Sequence, residues 1–146
     1  MLEFILGLPK AVMLQHRNLN HFIVGARSYT DLGPGSRILQ FAPFTFDASI
    51  LELAMTFASG STLCFVKSPG ILVGEYLADV IDTNEIDFIE MTPTAFSTLP
   101  TDRALRSLKQ VSLGGEACNG ALLKFWGSRI DVLNAYGPTE TWRVLH

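Results

Sequence analysis

The run Lys109-Gln110-Val111-Ser112-Leu113-Gly114-Gly115-Glu116-Ala117 passes abruptly from apolar residues to glycine. Lys109–Leu113 has the length and apolar content of a buried strand, and the paired glycines end it in a turn. A helical segment, Ala121–Gly127, follows, and then another apolar run, Ile130–Ala135. Strand, turn, helix and strand at this spacing make a right-handed crossover between parallel strands. The same unit recurs upstream. Ile86–Met91 reads as a strand with a short helix behind it at Thr94–Leu99, and Ser61–Val66 and Arg37–Ala42 read as strands. His16–Thr30, Phe46–Ala58 and Ile71–Thr83 carry helical periodicity between them. Phe46, Ile50, Leu53, Ala54 and Phe57 align on the second of these, and Val73, Leu77, Val80 and Ile81 on the third. Gly33-Pro34-Gly35 and Ser68-Pro69-Gly70 punctuate two connections. The expectation is an α/β fold, a mostly parallel sheet with helices on both faces, in one layered unit.

Composition agrees. Hydrophobic residues make up 48% of the 146 residues and charged ones 17%, which favours a buried core over disorder. The net charge of -3 and the absence of a basic stripe give nucleic-acid binding no support. The longest uncharged apolar stretch, Leu53 to Val66, spans about 14 residues and includes Thr56, Ser59, Ser61 and Thr62, too short and too polar for a membrane span. Met1–Leu6 lacks the basic start of a signal peptide. Cys64 and Cys118 have no metal-ligand spacing and make no disulfide framework, so a cytoplasmic location is the expectation.

Open parallel sheets bind ligands at the carboxyl ends of their strands. Chemistry-bearing residues follow four of the strands here: Phe44-Thr45-Phe46-Asp47-Ala48-Ser49, Glu90-Met91-Thr92-Pro93, Gly114-Gly115-Glu116-Ala117 and Asn134-Ala135-Tyr136-Gly137-Pro138-Thr139-Glu140. If the strands are parallel, the four segments share one edge. In the last, Asn134 offers an amide to a base edge and Tyr136 a face for stacking. Gly137 and Pro138 make a turn, Thr139 offers a hydroxyl to phosphate, and Glu140 a carboxylate suited to Mg²⁺. The structural alternative is a turn into a helix, with Thr139 as cap and Glu140 placed by the helix dipole. Gly114-Gly115-Glu116 by itself reads equally well as a tight turn or as a close approach of backbone to a flat ligand.

The segment Asn134–Glu140 resembles the adenine- and phosphate-binding motif of the adenylate-forming superfamily. Phe46-Asp47-Ala48-Ser49 is similar to the substrate-pocket motif of its nonribosomal-peptide-synthetase branch. Leu8-Pro9-Lys10-Ala11-Val12-Met13 with His16-Arg17-Asn18 resembles the tail of the family's phosphate loop, and Gly114–Ala117 falls between in the family's order. Four ordered motifs over residues 7–146, with 1–6 outside the match, identify the chain as resembling a partial adenylation domain, part of the large N-terminal region of such an enzyme.

The resemblance implies that a carboxylic acid attacks the α-phosphate of ATP, and that the acyl group then passes to the phosphopantetheine thiol of a carrier-protein domain. It places Gly115, Glu116, Ala117, Asn134, Tyr136 and Gly137 around the nucleotide, with Lys10 toward the phosphates. Thr139 would serve the α-phosphate and Glu140 the Mg²⁺ as the catalytic pair. Asp47 would pair with the substrate's α-ammonium group, pointing to an amino acid over a fatty or aryl acid. Its alternative role is an acid in a first helical turn. Ala48, Leu51, Glu90, Ser112, Gly114, Ala135, Arg143 and Val144 would line the side-chain pocket. Glu90 and Arg143 either pair with each other, suit a polar substrate, or stand on the surface as charges usually do.

The chain also departs from the family. Phe4, Ile5 and Leu6 stand where the phosphate loop has hydroxyls, so a solvated Lys10 is an equal reading. No ribose-binding aspartate or catalytic lysine of the family has a counterpart in 1–146. The expectation is weak or absent activity from this stretch alone, and apolar surface at its edges. The competing readings are an acyl- or aryl-CoA ligase and a noncatalytic nucleotide-binding module. A dinucleotide-binding domain fits worse, since no Gly-x-Gly-x-x-Gly follows a strand.

Overall fold

A computed structural model describes residues 12–67, 71–137 and 144–145. In chain order the elements are α1 (His16–Ala26), β1 (Arg37–Leu39), α2 (Asp47–Ser59), β2 (Thr62–Cys64), α3 (Gly74–Thr83), β3 (Phe88–Met91), α4 (Pro93–Ser97), β4 (Gln110–Gly114), α5 (Gly120–Trp126), β5 (Asp131–Tyr136) and β6 (Val144–Leu145). The sheet order is β2-β1-β3-β4-β5-β6. Strands β1 to β5 pair in parallel, and β6 runs antiparallel to β5. The mostly parallel α/β sheet expected from the sequence is the one observed.

Helices cover both faces. On one side α3, α4 and α5 bury Leu77, Ile81, Phe96 and Trp126 against Leu39, Ile89, Met91, Val111 and Leu113. On the other, Ala26 of α1 and Met55 of α2 pack against Ile38, Phe88, Leu133 and Ala135. Every residue of β3 and β4 is buried, including the polar Glu90, Gln110 and Ser112, as in a parallel sheet covered on both faces. The Trp126 indole lies 5.4 Å from the Phe96 ring and 5.1 Å, edge-on, from the Phe125 ring. Burial holds the Cys64 thiol above its usual pKa, as befits a core residue.

Local chemistry sets the element ends. Thr92 caps α4 by accepting from the Ala95 amide, with Pro93 in the first turn. Asn119 does the same for α5 through the Ala121 amide at 2.8 Å. Gly60, with φ +70°, closes α2 in the left-handed conformation that glycine adopts at least cost.

Besides shifts of one to three residues at other element ends, four features differ from the sequence reading. Helix α1 stops at Ala26 rather than Thr30, and the Ser28 and Thr30 hydroxyls donate to the Gly25 and Ala26 carbonyls. Strand β1 stops at Leu39 rather than Ala42, and the amides of Phe41 and Ala42 turn to a side chain, as described below. Of the stripe Phe46, Ile50, Leu53, Ala54 and Phe57, Ala54 is buried and Leu53 half-buried, but Phe46, Ile50 and Phe57 are exposed, and α2 also buries Ala48, Leu51, Glu52, Met55 and Ser59. This helix is apolar on more than one side, so periodicity alone did not choose its inner face. Strand β6 carries no strand signal of its own; its two residues pair with Ala135 and Tyr136.

Candidate functional site

Parallel pairing brings the carboxyl ends of β1, β3, β4 and β5 to one edge. Across that edge Glu90 pairs in register with Ser112, and Ser112 with Leu133. One step further, Met91 pairs with Leu113 and Leu113 with Asn134, while Gly114 pairs with Ala135. Side chains alternate along each strand, so Glu90, Ser112 and Leu133 share the face covered by α1 and α2. There a cavity of about 20 Å³ is lined by Phe22, Leu51, Met55, Phe88, Glu90 and Ser112, room for about one water molecule. Glu90 is 6% exposed and Ser112 2%, and the Ser112 hydroxyl makes no hydrogen bond among the described residues.

Asp47 occupies the first turn of α2 and is half-buried. Ala48 and Leu51, both buried, follow it on the same helix; Leu51 lies four positions after Asp47, on the same side. Of the residues expected in the side-chain pocket, Leu51, Glu90 and Ser112 line this cavity; Ala48 is buried beside Asp47 at the start of α2, and Gly114 pairs with Ala135 on the neighbouring strands without lining it.

The turn after β4 is shaped by glycine. Gly115 has φ +85°, and a Cβ there would meet nothing closer than Thr92 Cγ2 at 3.9 Å. The glycine is required by backbone conformation rather than by crowding. Gly115→Ala is expected to destabilise the fold by about 1 kcal/mol or more through strain in the left-handed region, which a denaturant titration will measure. Glu116 is exposed and its carboxylate accepts from the Thr94 amide at 3.2 Å and from the Thr94 hydroxyl. It thus ties the turn after β4 to the start of α4. Ala117 and Asn134 are exposed, Gly137 half-buried, and the Tyr136 ring 75% exposed, free to stack on a planar ligand. Val144 pairs with Tyr136 in the ladder. Lys10, Thr139, Glu140 and Arg143 lie outside the described residues, so the phosphate and Mg²⁺ assignments, and any pairing of Glu90 with Arg143, rest on the sequence.

The sequence reading missed Glu52. It is 1% exposed, lines the same cavity, and accepts the Phe41 and Ala42 amides, each at 3.0 Å. The one signal was a carboxylate within an otherwise apolar helix. Phe22, Met55 and Phe88 were also unforeseen as lining residues.

A larger opening of about 180 Å³ lies at the opposite, amino end of the strands, among Asp31, Leu32, Ser36, Asp87, Lys109, Gln110 and Asp131. Its groups largely pair with one another: Lys109 Nζ lies 2.6 Å from Asp87 Oδ1, and Gln110 Nε2 donates to Asp131 Oδ2 at 2.6 Å and to the Tyr29 carbonyl at 2.9 Å. It has neither the exposed aromatic ring nor the open glycine turn of the carboxyl edge. Size alone does not make it the site.

Fold and edge geometry together define an α/β domain built on a mostly parallel sheet, a class in which ligands ordinarily bind at the carboxyl ends of the strands. The chain belongs to the AMP-binding enzyme family, whose family model matches residues 7–146. It is 54% identical over 141 residues to the hybrid PKS-NRPS synthetase TAS1 of Gloeophyllum trabeum, covering 95% of this chain and 9% of that protein. It is 40% identical over 134 residues to the phosphinothricin tripeptide synthetase PhsC of Streptomyces viridochromogenes, covering 92% of this chain and 12% of that one. Among solved structures, the Vibrio cholerae adenylation domain AlmE, in complex with glycyl-adenosine-5'-phosphate, superposes with a TM-score of 0.83 at 26% identity, over 95% of this chain and 28% of that one. The chain therefore spans about a tenth of the length of these curated relatives, at 9% and 12%. It is an adenylate-forming domain segment of the nonribosomal-peptide-synthetase type. No helix among the described residues is long and apolar enough to cross a membrane.

Proposed function

We propose that this chain supplies the adenine- and amino-acid-binding part of an ATP-dependent ligase, which activates an amino acid as its aminoacyl-adenylate and passes it to a phosphopantetheine carrier domain in nonribosomal peptide synthesis. The observation that carries the reading is the convergence of Asp47, the Glu90–Ser112 pocket floor, the Gly115 turn and the Tyr136 ring on one sheet edge. The adenylate complex of AlmE supports it, as do the synthetase names of the relatives.

In this reading adenine stacks on Tyr136 against the backbone of Gly115–Ala117, and Asn134 meets its edge. Thr139 holds the α-phosphate, and Lys10 faces the phosphates. Glu140 would hold Mg²⁺, which when bound would supply charge neutralisation on the phosphates. The protein's part is to hold the acid in line with the α-phosphorus, so that its carboxylate oxygen bonds phosphorus as pyrophosphate leaves. Asp47 supplies the counter-charge for the α-ammonium group, a charge-assisted hydrogen bond that an acid lacking an amine cannot make. Arg143 and Val144 complete the side-chain pocket. A role in secondary metabolism and a cytoplasmic location are part of this proposal.

ATP–pyrophosphate exchange by the adenylation domain containing this chain tests the reading. Exchange should depend on an amino acid. Exchange supported only by fatty or aryl acids would assign the domain to the acyl-CoA ligases, and adenylate binding without exchange to a noncatalytic module.

A further inference from the structure

We propose that Glu52 is a positioning residue for amino-acid recognition: its buried carboxylate fixes the turn between β1 and α2 and so sets where Asp47 stands. This rests on the reading of Asp47 as the ammonium partner.

The geometry begins where β1 leaves the sheet. The Gln40 amide still donates to the Cys64 carbonyl of β2 at 3.0 Å. The next two amides, of Phe41 and Ala42, turn away, and both donate to Glu52 Oε1 at 3.0 Å. Gln40 Nε2 lies 3.5 Å from the other carboxylate oxygen and also donates to the Ala42 carbonyl. Beyond Ala42 the chain stays tied. The Phe46 amide donates to the Pro43 carbonyl at 2.9 Å, and the Ser49 amide and hydroxyl donate to the Phe46 carbonyl at 3.2 and 2.7 Å. Asp47 sits inside this last turn. Its backbone is thus anchored at one end by α2 and at the other by a carboxylate reaching back from α2.

The chemistry of the anchor favours this role over simple filling of the core. Thr56 and Ser59, the neighbouring buried polar residues of α2, send their hydroxyls to carbonyls of their own helix. Glu52 instead reaches out of the helix to the loop. One side-chain oxygen accepts both amides, and without it two backbone donors would be left without partners. A shift of about 1 Å in a binding group can cost roughly 10²-fold in rate, so the anchor's effect should appear on the substrate that Asp47 holds.

The test uses the adenylation domain containing this chain, in wild type, Glu52→Gln and Glu52→Ala forms, with amino-acid-dependent pyrophosphate exchange and hydrogen exchange of the Phe41 and Ala42 amides. Glu52→Ala should raise the amino-acid KM by about 10-fold or more and leave the ATP KM within about 2-fold. Glu52→Gln, which retains an acceptor oxygen, should stay within about 3-fold of wild type. An unchanged amino-acid KM in Glu52→Ala, or equal losses for both substrates, overturns the proposal. The wild-type amides decide even if Glu52→Ala does not fold. They should exchange as slowly as those of β1 although they lie outside its ladder, and rapid exchange overturns the anchor. A wild-type domain that needs no amino acid overturns the ammonium reading and this role with it, and the amide protection then shows whether the anchor itself exists.

Discussion

Asp47→Ala is expected to lower kcat/KM for the amino acid by about 10²-fold or more, with the ATP KM nearly unchanged. Removing one partner of a desolvated ion pair costs about 3–5 kcal/mol, because the other charge is left without compensation. Asp47 is half-buried at the start of α2, beside the buried Ala48 and Leu51, where a substrate ammonium group would be partly dehydrated. Asp47→Asn keeps the size and loses the charge, so it should fall close to the alanine variant. Steady-state pyrophosphate exchange with amino acid and ATP varied separately measures both. Equal losses for the two substrates would mean that Asp47 serves the helix start rather than the ligand.

Trp126→Ala should cost about 3–5 kcal/mol of stability, a large share of the roughly 5–15 kcal/mol of an ordinary domain. Its side chain is 1% exposed and forms ring contacts with Phe96 and Phe125, on the face where α3, α4 and α5 meet the sheet. The cavity left by an indole cannot be filled by neighbours already packed against β3 and β4. Chemical denaturation will read the loss. A cost below about 1 kcal/mol would show that this face is loosely packed.

The parallel sheet was legible because its central strands are buried on both faces and stop at glycine or proline. Val111-Ser112-Leu113-Gly114-Gly115 and Ile89-Glu90-Met91-Thr92-Pro93 both read this way. Parallelism then carried the site, since it puts Asp47, Glu90, Gly115 and Asn134 at one edge whatever the details of each loop. The inner face of α2 was not legible. Phe46, Ile50 and Phe57 form a better apolar stripe than the face that is buried, and the buried face contains Glu52, a residue that periodicity assigns to solvent. The end of β1 was missed for the same reason. Its last amides leave the ladder for a carboxylate far along the chain, and no local pattern signals such a bond. Glu116 shows a similar effect: the motif suggested a lining residue, and its carboxylate holds the start of α4 through Thr94. Side-chain anchors of loop backbone depend on tertiary approach, so they appear only once the fold is known.

The central claim is that one sheet edge holds both halves of an aminoacyl-adenylate. A crystal structure of the adenylation domain containing this chain, bound to an aminoacyl-sulfamoyl adenosine, tests it most directly. Adenine should lie on the Tyr136 ring against Gly115–Ala117, with the α-ammonium group at the Asp47 carboxylate. A ligand seated at the amino end, among Asp31, Lys109 and Asp131, or one whose ammonium group makes no contact with Asp47, would contradict it.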